Sequence, residues 1–157
     1  MDRDGKRETA DNPFAIVRKA WEQSPFNRLL GFKLDHVDAR EGQISFTAKP
    51  ELIGNFHQGI LHGGVIASAI DTVGGLAAYA SVLARAKDPH SEETVHRMAR
   101  MGTIDMRIDY LRPGKGTEFR CTGTVLRTGR KVAVTRMELF DGEGTLIAAG
   151  TGAYMVG

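Results

Sequence analysis

Apolar positions recur at helical spacing soon after a charged start: Phe14, Val17, Ala20 and Trp21, behind the cap-like Asp11-Asn12-Pro13, predict a helix over about 13–23. Ser24-Pro25 breaks it, and a short turn through Leu30 leads to Gly31. The period then switches from helical to alternating. Phe32, Leu34 and Val37, followed beyond Glu41-Gly42 by Ile44, Phe46 and Ala48, predict a two-strand hairpin ending at Pro50. A glycine-bearing loop over 53–59 delivers the chain into an apolar run from Ile60 to Ala84, which Lys87-Asp88-Pro89 closes. Residues 88–101 are polar and poorly patterned, and predict a surface insertion with about one helical turn. Alternation returns over 103–111, 117–127, 132–140 and 146–155, divided by turn-rich segments, and predicts a four-strand antiparallel meander.

This order contains no strand-helix-strand alternation that would build a parallel sheet. It therefore predicts an α+β fold with helices on one face of an antiparallel sheet. The 157 residues suit one domain over 13–157 behind a mobile tail, 1–12. With 21 basic against 19 acidic residues the formal charge is +2, too small for a nucleic-acid footprint unless the cations cluster. Cys121 is the lone cysteine, which excludes an internal disulfide and every cysteine-rich metal pattern and suits a reducing cytoplasm. The five histidines show no ligand spacing, so neither a metal nor a cofactor is expected. The run Ile60–Ala84 has membrane-spanning length but carries Asp71 near its middle. A carboxylate there costs roughly 2.5–3.5 kcal/mol, and the run reads as a buried core helix, with no membrane partner.

Around that helix, at 100° per residue, Ala67, Ser68, Gly74, Gly75 and Ala78 share the face of Asp71, and all are small. Val65, Ile66, Ala69, Val73, Leu76, Ala80 and Leu83 form an opposite stripe suited to the sheet. Interior glycines weaken a helix by about 1 kcal/mol each relative to alanine, so the small face predicts close approach of a second helix or a ligand. Asp71 there is a candidate general base, with a structural aspartate as the alternative. His62-Gly63-Gly64 opens the helix, where unsatisfied N–H groups and the dipole favour a developing oxyanion. His62 and Asp71 are nine residues apart, about 13.5 Å along the axis and half a turn in rotation. If both act in one reaction, the second comes from another copy, which a two-fold dimer supplies.

The segment Leu61 to Thr72, including the step from His62-Gly63-Gly64 to Asp71, resembles the PaaI-like hotdog thioesterases, acyl-CoA hydrolases related to phenylacetyl-CoA thioesterase. Residues 103–113 and 147–152 resemble two of the family's strands, and the likeness covers about 27–156. It implies the hotdog fold, an antiparallel sheet wrapped around the long central helix, here with an extra N-terminal helix, assembled as a homodimer and often a homotetramer. It also implies hydrolysis of acyl-CoA to a free acid: the Gly63 N–H polarises the thioester carbonyl, Asp71 of the facing subunit directs water, and Thr103 assists. Many relatives add an asparagine just before the His-Gly-Gly step. Asn55 precedes His62 by seven residues, about one more than that pattern, with His57 and Gln58 as alternatives. His62, Gly64, Ser68 and Gly75 are the expected substrate-lining positions, and Arg112, Arg127, Arg130 and Lys131 are the cations available to the coenzyme's phosphates. Two other uses of the fold stay open, an acyl-CoA-sensing module without turnover and a hydroxyacyl-thioester dehydratase.

Overall fold

A computed structural model describes residues 12–157; Asp11 and all but the last residue of the expected tail lie outside the described residues. Helix α1 (Ala15–Gln23) is followed at once by α2 (Pro25–Leu30). Ser24-Pro25, read as a breaker, is a start signal: the Ser24 hydroxyl accepts from the Asn27 amide, Pro25 takes the first helical position, and Gly31 ends α2 in the left-handed region at φ 73°. The hairpin forms as expected from β1 (Lys33–Val37) and β2 (Glu41–Thr47). The loop after Pro50 is more ordered than its composition predicts, because β3 (Ile53–Asn55) and β4 (Ile60–Leu61) pair across it.

The long helix, α3 (Gly63–Leu83), is the centre of the molecule. Among the described residues it alone is long and apolar enough to cross a membrane, and 67% of its most apolar window is buried, as befits a core helix. Residues 88–101 hold more than one turn of helix. Ser91 caps α4 (Glu92–Ala99) through the Thr94 amide, and Thr94 and Met98, one turn apart, are buried.

The last four strands, β5 (Gly102–Tyr110), β6 (Glu118–Thr128), β7 (Val132–Asp141) and β8 (Leu146–Met155), lie within a residue of their predicted bounds, but they do not form a four-strand meander. The sheet order is β1-β2-β6-β7-β8-β5, so only β6, β7 and β8 follow one another, while β5 crosses to the far edge and pairs with β8. Alternation fixes which residues face inward and leaves the partner open. Ile44, Phe46, Phe119, Met137, Leu139 and Ile147 form the buried face against α3. Cys121 sits among them, and burial pushes its thiol well above the ordinary range.

The helix comes within backbone contact of the sheet. A Cβ on Gly123 of β6 would stand 2.6 Å from the Val73 carbonyl oxygen, and one on Gly74 would collide with the Tyr154 hydroxyl. Gly74 is therefore buried against the sheet, Ala78 is buried as well, and neither belongs to the small open face. The accessible stripe is rotated by about 50° toward Thr72 and Tyr79. Gly123→Ala is expected to destabilise the fold by roughly 1–3 kcal/mol, since main chain must move to admit the methyl. A lower urea midpoint at unchanged slope is the measurement that checks it.

Candidate active site

The N-terminus of α3 is capped by its own first motif. His62, extended at φ −65° and ψ 137°, turns its imidazole back so that Nδ1 accepts the Gly64 N–H at 2.8 Å. The proton of this tautomer is on Nε2. Gly54 makes room for the ring, since a Cβ there would stand 2.7 Å from the His62 Cα. The amides of Val65 and Ile66 both return to the His62 carbonyl. Among the described residues this leaves the Gly63 N–H as the unsatisfied donor at the positive end of the helix dipole. The Gly64 amide, also expected to face substrate, is taken by the cap.

Two turns further on, Asp71 receives hydroxyls from two strands. Thr103 at the start of β5 donates to Oδ1 at 2.8 Å, and Tyr154 of β8 donates to the Asp71 carbonyl at 3.1 Å and lies 3.4 Å from Oδ1. Burial first, and then the neighbouring carboxylate, push the Tyr154 phenol well above its usual range, so it stays a donor. Thr103 pairs with Tyr154 and Asp105 with Ala153, which leaves Ile104 as an extra residue in β5. That bulge re-aims Thr103 toward the helix. Asp71 and Thr103 share a cavity of about 280 Å³ with Tyr79, Met98, Met101 and Tyr154.

The remaining predicted positions scatter over both ends of α3. Asn55 Oδ1 accepts the amides of His57 and Gln58 and so closes the loop before the helix, while its NH₂ group is not needed for that turn. His57 lies against the exposed Phe56 with the rings tilted by 39°, centroids 4.1 Å apart. Ser68 is on the accessible stripe, but its hydroxyl donates to the Gly64 carbonyl at 2.7 Å, and Gly75 is half-buried one turn beyond Asp71. Arg112 follows β5 at the end where α3 begins and donates to the Leu146 carbonyl. Arg127, Arg130 and Lys131 flank the β6–β7 turn, which meets the opposite end of α3 through Ser81 and Arg85 on Thr128. Among the described residues, His36, Asp38 and Glu41 bring three potential ligand atoms together on the β1–β2 turn, where Asp38 accepts the Arg40 and Glu41 amides and holds the turn closed.

Two residues at the site were missed. Tyr154 is 83 positions from Asp71, and no local pattern links them. Tyr110, at the end of β5, donates its hydroxyl to the Gly63 carbonyl at 3.1 Å. Strand β5 thus touches both candidate points of the helix, Gly63 through Tyr110 and Asp71 through Thr103.

The sequence model described as the thioesterase superfamily matches residues 58–148. A medium/long-chain acyl-CoA thioesterase, YigI, of Escherichia coli strain K12 is 49% identical over 150 residues, which cover 95% of this chain and 97% of that protein. A crystal structure of a Shewanella oneidensis protein related to the thioesterase superfamily superposes with a TM-score of 0.86 at 49% identity, covering 92% of this chain and 95% of that one. The PaaI protein of the phenylacetic acid degradation operon of E. coli, at 18% identity, a TM-score of 0.73 and 92% coverage of both chains, shares the fold.

Proposed function

This chain belongs to the thioesterase superfamily, and we propose that it hydrolyses acyl-CoA thioesters to a carboxylic acid and coenzyme A in a site shared by two copies of the chain. The observation that carries the reading is one helix with a free first amide at Gly63 and, two turns on, the carboxylate of Asp71 set among hydroxyls. Eight residues separate these groups, about 12 Å of helix, while each must come within about 3 Å of the reacting carbonyl or its water. The pair that works on one thioester is therefore Gly63 of one copy and Asp71 of the other.

In this reading the Gly63 N–H holds the carbonyl oxygen, with the Asn55 amide group as a second donor. Asp71 takes a proton from water as the water oxygen bonds to the carbonyl carbon, and Thr103 fixes the carboxylate. The tetrahedral intermediate then reforms the carbonyl, the C–S bond breaks, and the thiolate departs with the proton that Asp71 returns. The phosphates fall to Arg112 or, from across the dimer, to Arg127, Arg130 and Lys131. The dimer reading is supported by β5, an edge strand that leaves Ile104 56% and Tyr110 54% exposed. Such an edge is satisfied by pairing with its own copy across a two-fold axis. The same proposal extends to a cytoplasmic setting and, through further faces, to a tetramer.

Thiol release from a panel of acyl-CoAs tests the activity; binding without release would favour the sensing module instead. Thr103→Val keeps a β-branched strand residue and deletes one hydrogen bond to Asp71. It is expected to lower kcat about tenfold with KM little changed, the worth of one such bond. Wild-type kcat in this variant would remove Thr103 from the water-directing group.

A further inference from the structure

Beside the cavity at Asp71 lies a second one of about 190 Å³, between α3 and α1, walled by Val17, Ala20, Trp21 and Leu76. Thr72, Gly75 and Tyr79 line both cavities. Their spacing of three and four residues sets them in one row along α3, a ridge with a cavity on either side. Two of the three carry sizeable side chains, and Gly75 between them is a gap. Packing does not require this glycine. A Cβ at Gly75 would meet Tyr154 Cε1 at 3.5 Å, an ordinary contact, unlike Gly74 beside it. A helix interior favours alanine over glycine, so an open notch here weakens the helix with no neighbour among the described residues that needs the space.

Resting on the acyl-CoA reading, we propose that the notch at Gly75 is the pass through which longer acyl chains leave the cavity at Asp71 and enter the one under α1, with Trp21 at its wall. The reacting carbon is held near Asp71, and Gly75 is one turn away, about 6 Å along the axis. An extended alkyl chain advances about 1.25 Å per carbon, from C–C bonds of about 1.5 Å, so about five carbons reach the pass. Shorter acyl groups end among Met98, Met101 and Tyr79; longer ones gain the apolar walls of α1. Each methylene buried there raises the specificity constant about fourfold.

Trp21 is the single tryptophan of the chain, which makes its emission a reporter of that cavity. The probes are S-alkyl-CoA thioethers, which cannot be hydrolysed, with chains of about four and about twelve carbons, either side of the estimated length of the pass. The longer probe is expected to shift Trp21 emission and the shorter to leave it unchanged. Gly75→Leu should abolish the shift and lower the ratio of long-chain to short-chain kcat/KM at least about tenfold. Gly75→Ala should lower that ratio less, and it keeps the test open if the leucine variant folds poorly. A long probe that competes with substrate yet leaves Trp21 emission untouched overturns the proposal, as does a Gly75→Leu enzyme with the wild-type chain-length profile. Failure of the underlying reading looks different: no acyl-CoA of any length is hydrolysed, and the emission titration still decides whether an alkyl chain enters under α1.

Discussion

Asp71→Asn is expected to reduce kcat for acyl-CoA hydrolysis by about 10²–10⁴-fold, the range for loss of a positioned general base. Asparagine matches aspartate in shape, and its carbonyl oxygen still accepts the hydrogen bond that Thr103 gives to Oδ1 at 2.8 Å. The helix and its packing therefore persist, and the midpoint of thermal unfolding should stay close to wild type. What is lost is the capacity to take a proton from water. Thiol release at saturating substrate, with a melting curve beside it, separates the two effects. Near-wild-type turnover in Asp71→Asn would reduce the aspartate to a structural role at the start of β5.

Gly63→Pro is expected to cost about 10²–10³-fold in kcat, as for deletion of a single oxyanion donor. Few backbone donors can be deleted so cleanly. Proline is favoured at the first position of a helix, and His62 before it has the extended backbone that a following proline demands. A Cβ at Gly63 would meet the Tyr110 ring at 3.5 Å, which is ordinary contact. Mixing this variant with Asp71→Asn then asks where the site resides. Each variant lacks one half, but a mixed dimer places an intact Gly63 opposite an intact Asp71 at one of its two sites. Random assortment should restore about a quarter of wild-type activity after subunit exchange. No recovery, with exchange verified by a mass-tagged chain, would return both groups to a single chain and sink the shared site.

The signals that made α3 and its two candidate groups legible are local. A helix start of His62-Gly63-Gly64 and a lone acid in an apolar run can be read from neighbours in sequence, and the structure keeps them on one helix. The pairing of β5 with β8 instead of β6 could not be read, because β5 alternates no differently from a strand beside β6. Tyr154 and Tyr110 were hidden for the same reason, since their roles depend on which strand edges meet the helix. Gly74 was misassigned because rotation about an axis orders residues without saying where the sheet sits; at about 60° from Asp71 it lies on the border, and the close approach of Gly123 settles it. The helix over 92–99 reads as only about one turn because its inward face is only Thr94 and Met98, too narrow an apolar stripe among charges.

The backbone contact of Val73 and Gly74 in α3 with Gly123 of β6 separates what can drift from what cannot. Side chains repack when their neighbours change volume, but a helix seated on main chain has no soft layer beneath it to absorb such changes. The depth of Asp71 relative to Thr103 is thus set by atoms that every residue type shares. Val17, Ala20 and Trp21 of α1 and Met98 of α4 wall the two cavities and take no part in that seat. Substitutions in those two helices are therefore expected to reshape the cavities while the placement of Asp71 beside Thr103 is kept.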